Sequence, residues 1–171
     1  LTNLTKGALL SLPAIIFSVI CLSLPGRADL HSPNGPVVLT VSLADGSSAE
    51  FDQDALGRLP QDEFVTDTIW TEGPQTFRGV RLADFLNEFG VVDGELILFA
   101  VNGYSVSLPI AQIEPGGALL ATKRNGQEMT LRDKGPLWLV YPYDQDERYR
   151  TEQIYSNSIW QLNRMEVKSG S

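Results

Sequence analysis

The sequence predicts an α+β fold, a single compact and strand-rich domain with a few short helices. Apolar and polar side chains alternate in short runs, as in residues 37–43, which is the pattern of a half-buried strand. Turn-forming dipeptides such as Asn102-Gly103 and Asn125-Gly126 separate further apolar runs, as in β-hairpins. The best helical pattern is in residues 81–89. Strands and hairpins with two or three short helices are typical of the α+β class.

The first predicted elements lie close together. After the strand at 37–43, Asp45-Gly46 is a hairpin-type turn, and residues 49–51 can return as a second strand. Asp52 then has the side chain of a helix N-cap, because its carboxylate can accept from backbone N–H groups of the first turn. The sequence therefore predicts a short helix over Gln53–Arg58.

The next segment predicts a strand, a loop and a helix. Residues 64–70 are rich in β-branched side chains and predict a strand, and residues 71–75 read as a loop. In residues 81–89 the apolar side chains fall at i, i+3, i+4 and i+7, and Gly90 supplies a C-terminal stop. These apolar positions are Leu82, Phe85, Leu86 and Phe89.

The second half of the chain predicts mainly strands. One helical turn is expected at 109–113, ended by Pro115-Gly116-Gly117. The predicted strands are 95–101, 104–108, 119–122, 128–131, 137–141 and 159–167.

The first residues have the order of a secretory signal peptide. Lys6 precedes an almost wholly apolar run at 7–24, and Gly26-Arg27-Ala28 places small residues at a cleavage site. We therefore expect a signal peptide at 1–28, a linker at 29–36, the domain at 37–171, and a periplasmic or secreted protein. An uncleaved membrane anchor is the alternative, because the run is close to the length that spans a bilayer.

Composition excludes several classes of function. The net charge of −8 argues against nucleic acid and anionic lipid surfaces as binding partners, because both bind basic proteins rich in Lys and Arg. The single cysteine, Cys21, leaves with the predicted signal, so we expect no disulfide, zinc or iron–sulfur site in the domain. The single histidine, His31, lies in the predicted linker, so a Ser-His-acid set is not expected and no catalytic residue is assigned.

The polar segment at 141–150 contains the main candidate binding residues. Tyr143 and Tyr149 are expected to be exposed there, as rigid anchors for a ligand or partner, whereas Trp138 and Trp160 are expected in the core. Charged candidates in the same segment are Asp144, Arg148 and Arg150. The acidic run 144–147 also offers oxygen ligands, but it lacks the glycine and distal glutamate of a calcium loop, so a solvated loop is favoured.

Basic side chains leave two interpretations open. They form an anion-binding patch if the fold gathers them, or they are surface counter-charges of an acidic protein. The residues concerned are Arg78, Arg81, Arg132, Lys134, Arg148 and Arg150.

A series of segments in order resembles the sulfite-oxidase-like molybdopterin-binding domains. The resemblance runs from about residue 51 to residue 167 and implies that fold. The matching segments are Thr76-Phe77-Arg78-Gly79-Val80 with Leu82-Ala83-Asp84-Phe85-Leu86, the stretch at 102–109, Leu120-Ala121 with Asn125-Gly126, Gly135-Pro136-Leu137-Trp138-Leu139-Val140, and the closing strand at 159–167. Asn102 and Tyr104 of the second segment are further candidate residues for ligand or partner binding.

The resemblance also implies a metal ligand that this sequence lacks. Enzymes of the family hold molybdenum through a pterin dithiolene and one cysteine, which ends the strand before the Phe-Arg-Gly-Val-like segment. Here the matching strand is 64–70, and Trp70 or a neighbour takes that place. An indole cannot replace a thiolate as a metal donor.

Three hypotheses follow. The first is a non-catalytic binding or sensing module that holds no cofactor or metal and uses the old cofactor cleft, or a surface beside it, for a small polar ligand or an envelope protein. The second is an oxidoreductase that holds molybdopterin without a protein thiolate. The third is a scaffold subunit of an envelope complex.

Overall fold

The computed structural model of the protein describes residues 33–170. The predicted signal peptide, Cys21 and His31 therefore lie outside the described residues. Within 33–170, no helix is long and apolar enough to cross a membrane. The end of the predicted linker is held to the domain, because the N–H groups of Asn34 and Gly35 donate to the Asp52 carboxylate at 2.6 and 2.7 Å.

The prediction of a strand-rich α+β domain is confirmed, with one ten-stranded sheet and three short α-helices in the described residues. The strands are β1 Leu39–Ser42, β2 Ser48–Phe51, β3 Asp62–Thr66, β4 Gln75–Arg81, β5 Glu95–Ala100, β6 Ser105–Pro109, β7 Leu119–Arg124, β8 Gln127–Glu128, β9 Leu137–Val140 and β10 Trp160–Lys168. The helices are α1 Gln53–Arg58, α2 Leu82–Glu88 and α3 Glu152–Asn157. Single 3₁₀ turns occur at Ile110–Gln112, Leu131–Asp133 and Glu147–Tyr149.

The long strand β10 organises the sheet. The main path runs β2-β1-β10-β9-β7-β4-β3, and the β5–β6 hairpin joins it through a second pairing of β5 with β10. The first residues of β10 pair with β9, with Trp160 opposite Trp138, and the later residues pair with β5 and with β1. The register shifts near Gln161, which has a positive φ of 54°. This irregularity lets one strand serve three neighbours and brings the β5–β6 turn beside Trp160.

The two predicted helices form where local signals place them. The Asp52 carboxylate accepts from the N–H of Ala55 at 2.7 Å and caps α1, whose bounds match the prediction. In α2, Leu82, Phe85 and Leu86 are buried, as the apolar stripe predicts. Phe85 meets Phe51 of β2 with ring centroids 5.3 Å apart, which ties α2 to the sheet.

Strand β4 was missed by the sequence analysis. Its sequence, QTFRGVR, mixes polar residues and a glycine, so it has no strand-like periodicity. It pairs on both sides, with β3 and β7, and those long-range pairings define it. The glycine has a packing reason, because a Cβ at Gly79 would lie 2.0 Å from the carbonyl oxygen of Leu120 on β7.

Two further predictions are corrected. Strand β3 ends at Thr66 instead of continuing to residue 70, and residues 67–73 form a loop. Helix α3 was not predicted, because its six residues are too few to show a helical period. Thr151 caps it by accepting from the N–H of Ile154 at 3.3 Å.

Candidate functional site

A cleft with a volume of about 430 Å³ opens where three parts of the chain meet. They are the loop at 67–73, the turn between β5 and β6, and the junction from α3 to β10. The lining residues are Trp70, Ala100, Asn102, Tyr104, Tyr155, Ser156, Ser158, Ile159 and Trp160. The lining therefore contains four aromatic rings and no charged side chain.

Trp70 stands at the centre of the aromatic wall. Its ring is edge-on to Trp160 at 5.5 Å between centroids, to Tyr155 at 5.8 Å and to Trp138 at 5.8 Å. Edge-to-face contacts of this kind are favoured by the quadrupoles of aromatic rings and limit their motion. The Trp70 backbone is fixed too, because its N–H donates to the Thr68 hydroxyl at 3.1 Å. The wall is thus formed before any ligand arrives.

Asp144 holds the loop that carries Trp70. Its carboxylate accepts from the N–H of Asp67 at 2.6 Å and from the Thr66 hydroxyl at 3.2 Å. The N–H of Asp144 donates back to the same hydroxyl at 3.2 Å. These bonds stop β3 at Thr66 and turn the chain away from the strand direction. Asp144, predicted as a binding residue, therefore lies outside the lining and positions the loop.

Asn102 and Tyr104, two of the predicted binding residues, line the cleft. The Asn102 Oδ1 accepts from the N–H of Tyr104 at 3.0 Å and shapes the β5–β6 turn. The Tyr104 hydroxyl donates to the carbonyl oxygen of Ser156 at 3.2 Å, which links this turn to α3. Tyr104 remains 49% exposed, so its ring forms part of the rim.

Several polar groups of the lining have no hydrogen-bond partner among the described residues. They are the indole N–H groups of Trp70 and Trp160, the side-chain nitrogen of Asn102 and the hydroxyl of Tyr155. Trp138 differs, because its buried indole N–H donates to the carbonyl oxygen of Ser158 at 3.2 Å. Donors that the fold leaves unused are available to a ligand.

Lys134 supports the wall from behind. Its Nζ lies 4.1 Å from the ring centroid of Trp160 and 5.5 Å from that of Trp138. Burial lowers the pKa of the Lys134 ammonium, and the nearby Arg124 lowers it further. No carboxylate forms an ion pair with Lys134 within the described part of the chain. The Lys134 ammonium therefore interacts with the face of the Trp160 indole.

The expected exposure of Tyr143 and Tyr149 is wrong, because only 2% and 5% of their surfaces are accessible. The Tyr143 hydroxyl shares a 2.6 Å hydrogen bond with that of Ser158, and burial raises the pKa of Tyr143 to about 12. The Tyr149 hydroxyl donates to Glu114 at 3.0 Å. Burial raises the pKa of Tyr149, and the bond to Glu114 adds to the effect.

The charged candidates of this segment are engaged in local pairs. Arg148 forms ion pairs with Glu114 and Asp146, both at 3.2 Å, and it donates to the Tyr149 hydroxyl at 2.9 Å. Arg150 lies 3.9 Å from Glu147. Arg148 and Tyr149 thus attach the segment at 141–150 to the loop that contains Glu114. Arg81 is likewise engaged, since it is bound to Asp62 and to the carbonyls of residues 116 and 117.

Sequence reasoning missed most of the cleft. The sequence marks Trp70 only as the residue at the family's ligand position, places Trp160 in the core, and includes Tyr155 among the aromatic residues without predicting it as a binding residue. The helix that carries Tyr155 was not predicted, so the positions of its neighbours Ser156 and Ser158 in the lining could not be predicted either. The family pattern was the usable signal, because it marks the position of Trp70 and the turn that contains Asn102 and Tyr104.

Comparisons with known proteins agree with the fold. The sequence model described as "Oxidoreductase molybdopterin binding domain" matches residues 39–144. That match includes Trp70, Asn102 and Tyr104 and ends before α3. The chain is 32% identical over 78 residues to a protein of Bacillus subtilis (strain 168) named "Uncharacterized oxidoreductase YuiH". The alignment covers 44% of this chain and only 39% of that relative.

Proposed function

Because this chain belongs to the oxidoreductase molybdopterin-binding domain family, we propose that it is a non-catalytic member in which the cleft binds a small ligand, as a binding or sensing module. The observation that carries the proposal is the aromatic cleft itself. Its wall is preformed by Trp70 and Trp160. Its lining contains hydrogen-bond donors that form no hydrogen bond within the fold.

The donor set of the cleft does not fit the family's cofactor. A molybdenum dithiolene centre would take a soft thiolate from the protein, and the single cysteine of the sequence, Cys21, lies outside the matched residues 39–144. The described residues contain no cluster of three or more His, Cys, Asp or Glu side chains able to hold a metal. The lining also offers no cation to an anionic cofactor, because Lys134 faces the indole of Trp160.

The lining instead suits a small ligand without net charge. Its volume lies within the range of about 300–1,000 Å³ that is usual for small-molecule sites. Four aromatic rings favour a flat or apolar face, and the free N–H and O–H groups favour acceptor atoms at the ligand's edge. A ligand of this kind gains contact area and several hydrogen bonds without leaving a buried charge.

The second candidate is an oxidoreductase that holds molybdopterin without a thiolate, and the family match over residues 39–144 favours it. Metal analysis of protein purified from its own host separates the two. We expect molybdenum far below one atom per chain. Near one atom per chain would overturn the binding-module proposal and support the enzyme.

The ligand can be sought in the same preparation. Small molecules released by denaturation should be identified by mass spectrometry for the wild type, Trp70→Ala and Val65→Ala. Val65 is 56% exposed and lies on β3, outside the lining, so it is a matched control. We expect a released compound from the wild type and Val65→Ala and its loss from a folded Trp70→Ala. Equal amounts from all three would place binding elsewhere.

A further inference from the structure

Lys134 places a positive charge on one face of a cleft tryptophan. Its Nζ lies 4.1 Å from the ring centroid of Trp160, closer than to Trp138 at 5.5 Å. Trp160 is among the lining residues and Lys134 is not, so the ammonium lies on the side of this ring that turns away from the cleft. A ligand in the cleft and the ammonium therefore share one indole from opposite sides.

Backbone contacts hold the segment that carries the ammonium. The carbonyl oxygen of Lys134 accepts from the N–H of Gln161, the residue after Trp160, at 2.9 Å. The Gln161 side chain also donates to the carbonyl oxygen of Leu131 at 2.8 Å. These two bonds join the turn that contains Leu131 and Lys134 to the start of β10. The position of the charge relative to the indole is therefore fixed by the fold.

The charge behind the wall is not offset by an ion pair. No carboxylate lies within ion-pair distance of Lys134 in the residues that the structure describes. The carboxylate of the neighbouring Asp133 accepts from the Thr130 hydroxyl at 2.7 Å. Arg124 is a second positive charge near Lys134. The back of the wall is therefore positive, although the whole chain has a net charge of −8.

This charge changes what the aromatic lining can bind. A group of aromatic rings without charged neighbours favours an ammonium ligand, because the face of each ring is negative. An ammonium on one face of an indole draws π electrons toward itself and makes the opposite face less negative. That face repels a further cation, and it repels the negative face of a stacked ring less than a free indole does.

We infer that Lys134 determines the specificity of the cleft, so that the cleft takes a neutral, electron-rich aromatic ring with oxygen acceptors at its edge and rejects ammonium ligands. The inference rests on the proposed binding function and names its ligand class. The oxygen atoms would accept from the indole N–H groups of Trp70 and Trp160, which the fold leaves unused. A ligand cation within about 6 Å of the open ring face would lie about 10 Å from Nζ. At an effective dielectric constant of about 20, that repulsion weakens binding about tenfold.

The three tryptophans of the sequence allow a direct test, because each indole N–H gives its own NMR signal. The signals are assigned by tryptophan-to-phenylalanine substitution, and two probes of similar size are titrated at neutral pH. The neutral, electron-rich probe is para-methoxyphenol, and the cationic probe is phenyltrimethylammonium. We expect para-methoxyphenol to shift the signals of Trp70 and Trp160 more than that of Trp138, which is bonded to Ser158. The dissociation constant of the cation should be about tenfold higher.

Variants at Lys134 assign this difference to its charge. Lys134→Met keeps the length of the side chain without the charge, so the two dissociation constants should come within a factor of about three. Lys134→Arg should restore the difference, because a guanidinium also stacks on an aromatic face. Lys168→Met is the control, since it makes the same change of charge at the exposed far end of β10 and should match the wild type. Near-ultraviolet circular dichroism checks folding.

Equal or tighter binding of phenyltrimethylammonium by the wild type would overturn the inference, and this comparison decides even where Lys134→Met does not fold. An unchanged ratio of dissociation constants in folded Lys134→Met would overturn it too. Neither result would count against the proposed binding function. If neither probe moves the signals of Trp70 and Trp160, the inference is overturned together with the proposal that the cleft binds small ligands.

Discussion

Trp70 and Trp160 meet edge to face at the wall of the cleft, with ring centroids 5.5 Å apart and ring planes inclined by 69°. One residue belongs to the loop after β3, and the other begins β10. The wall therefore exists only when distant parts of the chain have assembled. Its geometry depends on the residues that fix the loop and the strand, and Asp144 is one of them.

The first prediction concerns the Asp144 anchor of the Trp70 loop. Asp144→Ala removes the acceptor of the Asp67 N–H, so that amide should exchange faster with solvent deuterium. Tryptophan emission should shift to longer wavelength as Trp70 gains water. Glu147→Ala is the control, because that side chain is 95% exposed and its ion pair with Arg150 is long, at 3.9 Å. Unchanged exchange and emission in Asp144→Ala would show that other contacts hold the loop.

The second prediction concerns the core below α2. Phe85 is fully buried and packs on Phe51, so Phe85→Ala should lower the free energy of unfolding by about 3–5 kcal/mol. Denaturant melts measure this change. Val92→Ala is the control, because Val92 is 76% exposed, and its effect should stay within about 0.5 kcal/mol. A loss below about 1 kcal/mol for Phe85→Ala would contradict the packing described above.

The third prediction concerns the pH dependence of Asp52. The N–H group of Ala55, together with those of Gly35 and Asn34, holds the pKa of the Asp52 carboxyl below its usual value. Its folded pKa is thus below the unfolded value of about 3.9. The group stabilises the fold above that pH, and the stabilisation is lost as pH falls through the folded pKa.

Melting temperatures of the wild type and Asp52→Asn, measured from pH 7 to pH 3, test this dependence. Asparagine can still cap a helix, but it carries no charge. The wild type should be more stable at pH 7, and the difference should shrink toward pH 3. Asp93→Asn changes an exposed carboxylate and should follow the wild type throughout. A constant difference at all pH values would refute the ionic contribution.

The fourth prediction concerns export. When the chain is expressed with its own N-terminal segment, N-terminal sequencing of the periplasmic protein should begin at Asp29, after Gly26-Arg27-Ala28. Ala28→Leu places a large side chain where a signal peptidase needs a small one, so it should reduce processing. An intact N-terminus in the membrane fraction of the wild type would favour the anchor instead.

The fold could be predicted where the signal is local. Helix α1 follows from the Asp52 cap, and α2 follows from an apolar stripe that includes Phe85. The end of β3 could not be predicted, because the acceptor of the Asp67 N–H is Asp144, 77 positions away in the sequence. Strand β4 is defined by its neighbours β3 and β7 in the same way.

The site was predictable only in part. Asn102 and Tyr104 were found because the family pattern includes their turn. The inward positions of Tyr143 and Tyr149 depend on Ser158 and Glu114, which no pattern along 141–150 reveals. Polar neighbours in the sequence therefore gave the wrong burial, and no residue of 141–150 lines the cleft.

The pairing of β10 has a consequence for the order of folding. This strand is the last along the described chain, yet it lies between β1, β5 and β9. During synthesis β1 and β5 are made long before their shared neighbour, and contacts between residues so far apart in the sequence form slowly. A product that stops before Trp160 would present three unpaired strand edges, which are templates for aggregation. Premature termination should therefore yield insoluble or rapidly degraded chains instead of a partly folded domain.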